Sequence, residues 1–149
     1  MNKRLVGAVV VCLLLVGSYV VTAQVARPYR NGSVWDVGFI RVKPGMNQAY
    51  LSYLAGDWKR EQEALKSAGI ILSYKVLQTE PHNPGDFTLM LMTEYKDLAT
   101  MEANESKADA LAQKVIGDDQ KQMQGYRERL EIREVLGSRL AREIILQPR

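Results

Sequence analysis

Histidine and cysteine, which supply most protein metal ligands and much nucleophilic chemistry, are nearly missing from this chain of 149 residues, which has one of each. Cys12 falls in an apolar run near the start, so the remainder of the chain carries no thiol. That excludes disulfides, thiol catalysis and cysteine-ligated metals from the remainder. His82 stands in a loop between Pro81 and Pro84 with no second histidine to complete a metal site. It reads as an exposed loop residue rather than a metal or haem ligand or a general base. No glycine-rich phosphate loop, Ser-His-Asp set or zinc-ligand spacing occurs either.

A surplus of one charge is lacking as well. The chain has 20 basic and 17 acidic residues, a net of +3. Removing Lys3 and Arg4, which belong to a leader, leaves 18 basic residues against the same 17 acidic ones, a net of about +1. No basic face is clustered, so nucleic acid is not an expected partner.

What is there begins with that leader. Asn2-Lys3-Arg4 is a short positive region, Leu5 to Val16 is an unbroken apolar run, and Val21-Thr22-Ala23 is an A-x-A-like cleavage site. These three parts in order read as a bacterial export signal over residues 1–23, cut before Gln24. The rival is an uncleaved membrane anchor, because residues 5–23 are about long enough to span a bilayer. Gly17, Ser18 and the small residues at the site favour cleavage, and with it a periplasmic or secreted protein. A lipoprotein signal at Cys12 is disfavoured, since Val9-Val10-Val11 supplies no small residue ahead of it. An exported chain without disulfides depends on its core and on a partner subunit for stability.

Residues 24–33 (QVARPYRNGS) are polar, with a proline and an Asn-Gly step, and read as a linker. A single domain over residues 34–149 follows. Alternation predicts a strand from Val34, with Trp35, Val37, Phe39 and Arg41 on one face and Asp36, Gly38, Ile40 and Val42 on the other. Lys43-Pro44-Gly45 ends it, and a helix runs from about Met46 or Asn47 to Ser67. Its buried stripe is read as Leu51, Leu54, Trp58, Leu65 and Ala68, and Gly69 stops it. Strands over Ile70–Thr79 and Asp86–Tyr95 flank a short loop, which makes an antiparallel hairpin the simplest connection.

Asp97 is a candidate helix cap, and Gly117-Asp118 breaks the helical stretch that follows. Met123, Tyr126 and Leu130 share one face of the last helical segment. The surrounding Arg127, Glu128, Arg129, Glu131, Arg133 and Glu134 read as its solvated side. Gly137 is expected to end the helix, with Arg139 to Leu146 as the last strand. The order β-α-β-β-α-β is that of an α+β, ferredoxin-like antiparallel sheet with its helices on one face. The other face keeps apolar side chains that a second copy of the sheet would cover, so a homodimer is expected, with Met90 or Met92 near its interface.

Phe39-Ile40-Arg41-Val42-Lys43-Pro44-Gly45-Met46 opening the helix, Trp58-Lys59 within it, and Arg133-Glu134-Val135-Leu136-Gly137-Ser138-Arg139-Leu140 carry a resemblance over nearly all of the processed chain. The chain resembles the dimeric α/β-barrel superfamily, which includes antibiotic-biosynthesis-monooxygenase-like domains. The resemblance implies two sheets facing across a dimer, with a small-molecule pocket between sheet and helices in each subunit. Some members are cofactor-independent oxygenases, some bind haem and some have no known activity, so the fold does not choose among them.

Trp35, Arg41 and Tyr74, with Lys75, are the candidate ligand-binding residues, because aromatic walls with one or two cations suit an aromatic or anionic ligand. Alternation sets Tyr74 and Lys75 on opposite faces, and the plainer account is core aromatics with charges at strand ends or a dimer seam. Asp57 and Glu61 share a helix face, with Glu63 nearby, but no histidine or further carboxylate completes a metal site, so they read as solvated or capping. Met90, Met92, Met101 and Met123 read as packing residues. No cofactor and no metal are expected. The leading expectation is an exported homodimeric protein that binds a small hydrophobic or aromatic molecule or serves as an accessory domain. The alternatives are a cofactor-independent monooxygenase or isomerase acting on an aromatic or polyketide-like substrate, and a purely structural protein. Polar side chains converging in the pocket between sheet and helices would favour an enzyme.

Overall fold

The computed structural model describes residues 27–148, so the leader and its cleavage site lie outside the described residues. Four strands, β1 (Tyr29–Val42), β2 (Ser73–Gln78), β3 (Leu89–Tyr95) and β4 (Arg133–Leu146), form one antiparallel sheet in the order β2-β3-β1-β4. Between β1 and β2 runs a helical stretch made of α1 (Asn47–Tyr53), a π-helical turn (Leu54–Trp58) and α2 (Lys59–Ser67). Between β3 and β4 come α3 (Leu98–Ala103), α4 (Glu105–Val115) and α5 (Asp119–Leu130). The chain therefore has the ferredoxin-like β-α-β-β-α-β plan, with β1 and β3 at the centre.

Register fixes the two faces of the sheet. Val34, Asp36, Gly38 and Ile40 of β1 stand opposite Tyr95, Thr93, Leu91 and Leu89 of β3. This is the helix side: Ile40, Val42 and Leu89 form one core cluster with Tyr50 and Leu54. A second cluster joins Leu65, Ile70 and Ile71 to Tyr74, Tyr95, Ala108 and Leu111. Trp35, Val37 and Phe39 lie on the opposite side of β1, beside Glu94, Met92 and Met90 of β3. No described helix covers that side.

Several boundaries depart from the sequence reading. β1 starts at Tyr29, because the end of the expected linker pairs with the end of β4: Tyr29, Arg30 and Asn31 face Leu146, Ile145 and Ile144. Ile70 and Ile71 belong to the core as a loop ahead of β2, and β3 starts only at Leu89. The last helix stops at Leu130, and β4 begins at Arg133 rather than Arg139. Gly137 does not end a helix. It lies within β4 at φ +140°, where the register slips between Phe39 and Ile40. Val135 faces Ile40 and Gly137 faces Phe39, so Leu136 is the extra residue of a β-bulge.

The helix caps agree with the sequence. The Asp97 carboxylate accepts from the Thr100 backbone N–H at 2.6 Å, and that of Asp118 from the Lys121 N–H at 2.9 Å. The α5 stripe is different: Met123, Tyr126 and Leu130 are exposed, while Gln122, Gly125 and Arg129 are half-buried. On the helix side of β4, Leu140 and Ile144 are also exposed. Ile144 lies where β1 and β4 run on past Val34, the last β1 partner of β3, whereas Leu140 stands opposite Asp36, within the three-stranded part.

Candidate functional site

The first helical stretch builds one wall of a groove. A step of four residues overshoots a full turn in an α-helix and undershoots in a π turn, so the π turn at Leu54–Trp58 cancels the drift. Tyr53, Asp57 and Glu61 consequently point to one side, toward α5. Gln122, Tyr126 and Arg129 are prominent on the opposing wall. The groove between them has a volume of about 810 Å³.

Behind it sits a cluster of tyrosines and arginines. Tyr50 and Tyr53 stack with centroids 5.8 Å apart. The Arg129 guanidinium lies 4.4 Å from the Tyr53 ring centroid. That of Arg133 lies 5.7 Å from Tyr50 and 5.4 Å from Tyr126. These are cation–π distances, and tyrosine faces partly offset the loss of water around each guanidinium.

They do not satisfy its N–H groups. Arg133 is only 6% exposed, and its Nε and Nη1 atoms, like Nε of Arg129, are buried without a hydrogen bond among the described residues. The ion pairs among the described residues join Arg41 to Glu134 and Arg60 to Asp57, so neither the buried Arg133 nor the half-buried Arg129 has a carboxylate partner at ion-pair distance there. Each unsatisfied buried donor costs about 1–3 kcal/mol, and an uncompensated buried charge costs more.

The acids of the groove are otherwise engaged or desolvated. Asp57 pairs with Arg60 at 2.7 Å, Glu128 accepts from the Gln124 amide at 2.9 Å, and Asp119 from that of Gln113 at 2.9 Å. Glu61 makes no such pair: burial pushes its carboxyl above the ordinary range, against the opposing pull of Arg129. Burial pushes the Tyr50 phenol up to about 12, with Arg133 pulling it back. Tyr53 is raised by burial and opposed by Arg129. Deeper on the helix side, burial raises Asp36, and it raises Tyr95 with the charges of Asp36 and Glu61 adding to the effect. Gln62 is buried and accepts from the Thr93 hydroxyl at 3.1 Å.

Trp35, Arg41 and Tyr74 do not come together. Trp35 lies on the open face, with the Lys75 ammonium 4.8 Å from its ring centroid. Arg41 lies on the same face but pairs with Glu134 and donates to the Pro84 carbonyl at 3.3 Å. Tyr74 is on the helix side, edge-on to Trp58 at 5.3 Å, and its hydroxyl donates to Glu63. His82 sits in the exposed hairpin loop, where its backbone N–H donates to Asp86 at 2.9 Å. Among the described residues no group of histidine, cysteine and carboxylates is placed to hold a metal ion.

Asp57 and Glu61 share a face as expected, but the sequence did not single out Tyr50 and Tyr53, and it gave Tyr126 only as part of a helical face with Met123 and Leu130. Arg129 and Arg133 read there as part of a solvated charge run. The available signal was register: with β4 starting at Arg133, this residue faces Val42 and is carried to the helix side.

The chain matches no protein-family profile and no curated protein sequence. Among solved structures it is similar to a NIPSNAP family protein of unknown function from Agrobacterium tumefaciens at 12% identity and a TM-score of 0.48, over 78% of this chain and 90% of that one. It is also similar to a dimeric ferredoxin-like protein from an uncultured marine organism at 14% identity and a TM-score of 0.49, over 80% of this chain and 100% of that one. A dimeric protein of unknown function with a ferredoxin-like fold from Bacteroides fragilis shares 14% identity at a TM-score of 0.40, over 77% of this chain and 97% of that one.

Proposed function

We propose that this is an exported, homodimeric small-molecule-binding protein whose ligand site is the groove between the first helical stretch and α5. The observation that carries the reading is the groove itself: about 810 Å³ of space into which Tyr53, Glu61, Tyr126 and Arg129 converge. That volume lies within the range of small-molecule sites, which pair apolar and aromatic walls with a few placed polar groups. Self-association is supported by the open sheet face, where Trp35, Phe39, Met90 and Met92 are only half-buried. Export rests on residues 1–23, and intact-mass measurement should find a chain beginning at Gln24. A full-length species held in the membrane would refute cleavage.

The binding claim is tested by screening small aromatic compounds for a rise in melting temperature, in the wild type and in Gly125→Trp. Gly125 lines the groove, so a bulky side chain there should abolish the shifts while leaving the fold intact by circular dichroism. Shifts that survive the substitution would place the ligand elsewhere.

A second reading, a cofactor-independent isomerase or monooxygenase, is favoured by one feature. Glu61 is a carboxyl held above its ordinary range beside a cation, a combination that suits proton transfer. Deuterium exchange into the methylene of phenylpyruvate should then be catalysed by the wild type and lost in Glu61→Gln. Equal exchange in both would leave binding alone.

A further inference from the structure

Among the described residues the most exposed large apolar side chains are Leu146 at 79%, Ile144 at 57% and Leu140 at 54%, all on β4. Near the end of the β1–β4 ribbon the extra residue of the register slip lies on β1, between Asn31 and Val34, so β4 itself alternates without a break. Leu140, Arg142, Ile144 and Leu146 therefore share one side of the ribbon, with the Tyr29 position opposite Leu146. Arg30 stands opposite Ile145 on the other side. The Pro28 carbonyl accepts from the Gln147 N–H at 2.8 Å, so the two strands stay joined to the end. Exposed apolar neighbours rimmed by charge mark an interaction surface.

The charge there is of one sign. Arg27, Arg30 and Arg142 are exposed and make no ion pair among the described residues, and Glu143 is the one carboxylate in residues 27–31 and 142–148. The leader joins at this same end. Its apolar run, residues 5–16, is read as the part that enters a bilayer, as export signal or as anchor. Residues 24–26 alone separate it and its cleavage site from the described ribbon, and the four steps from Ala23 to Arg27 reach at most roughly 14 Å. Until cleavage the ribbon end is thus held against the membrane surface. Apolar side chains suit the headgroup boundary, and arginines meet lipid phosphates while their stems lie along apolar surface.

We infer that the end of the β1–β4 ribbon is a peripheral contact for an anionic phospholipid surface, with Ile144, Leu146 and Tyr29 at the headgroup boundary and Arg27, Arg30 and Arg142 against lipid phosphates. The contact is independent of the groove and keeps the processed chain at the membrane, where loss of the leader alone would release it. Charge favours lipid over a second copy of the chain. Packing two such strips together would bring three arginines from each against one carboxylate from each, and the Glu143 side chain already lies across Gly32.

The probes are vesicles of phosphatidylcholine alone and of phosphatidylcholine mixed with phosphatidylglycerol. The protein is the processed chain from Gln24, so that the leader cannot contribute. Each arginine near an anionic surface strengthens binding by roughly fivefold, so in flotation the wild type should bind the mixed vesicles at least about tenfold more tightly than the neutral ones. Ile144→Ser combined with Leu146→Ser should weaken that binding at least about tenfold, and Arg30→Gln combined with Arg142→Gln should erase the preference for phosphatidylglycerol. These side chains are exposed, so circular dichroism should be unchanged, and Leu146→Ser alone carries the test if the double variant fails to fold. A wild type that does not float with the mixed vesicles overturns the inference; a sedimenting mass that falls in the Ile144 and Leu146 variant would then assign the strip to a second copy. Undiminished flotation of that variant overturns the ribbon end as the contact. Equal binding to both vesicles overturns the anionic half.

Discussion

Glu61 carries the most direct consequence at the scale of single residues. Its folded-state pKa is raised above the ordinary 4.5 because burial penalises the charged form more than Arg129 favours it. The native state therefore holds this proton more tightly than the unfolded chain does. The associated stability is present below about pH 4.5 and is lost as the pH rises through the folded value. Glu61→Gln keeps the neutral shape and removes the ionisation. Thermal melts should show the two proteins close together at pH 4 and the variant the more stable at pH 7. A wild type that is more stable at pH 7 would mean that the ionised carboxylate is favoured in place. Arg133 shows where reading residues one at a time fails. In the sequence it sits among alternating charges and looks solvated, and only the strand register carries it inward.

At the scale of elements, the π turn decides which side of the first helical stretch is buried. The regular stripe read from sequence placed Leu51 inside, whereas the structure buries Tyr50 at 1% exposure and leaves Leu51 at 43%. The widened turn absorbs a residue, so Tyr50, Leu54, Gln62 and Leu65 share the inner side. Tyr50→Ala should then cost about 3–5 kcal/mol, as large buried aromatics do, and Leu51→Ala less than about 1 kcal/mol. Denaturant unfolding measures both, and the reverse order would place the stripe back on Leu51. β4 was half legible: its apolar alternation was visible from Arg139 onward, but Gly137 looked like a helix stop because glycine serves both roles. In the bulge, its φ of +140° is one that side-chain-bearing residues rarely adopt, although an added Cβ would meet nothing nearer than Arg139 at 3.9 Å. Backbone strain alone should make Gly137→Ala cost about 1 kcal/mol or more. Gly38→Ala, where the new Cβ would lie 3.8 Å from the Leu91 carbonyl at an ordinary φ, should be close to neutral. Equal effects at the two glycines would argue against the bulge.

At the scale of the whole molecule, the order of strands and helices was legible because period-two and helical patterns alternate cleanly and the turns at Pro44-Gly45 and Glu80 to Gly85 punctuate them. The groove was not, because its walls come from segments far apart in sequence, such as Tyr53 and Tyr126, and no local pattern pairs them. The open face of the sheet, with Trp35, Phe39, Met90 and Met92, faces away from every described helix. Sedimentation equilibrium at micromolar concentration should find a dimer, and Phe39→Lys should shift it toward monomer. A folded wild type that stays monomeric would remove the sheet-to-sheet arrangement. The central claim, that the ligand site is the groove between helices and not the open sheet face, is met most directly by backbone amide NMR during titration with a small aromatic compound that raises the melting temperature. The shifts should concentrate in residues 53–61 and 119–129, with Trp35 and Arg41 unchanged. Shifts centred on Trp35, Arg41 and Lys75 instead would contradict it.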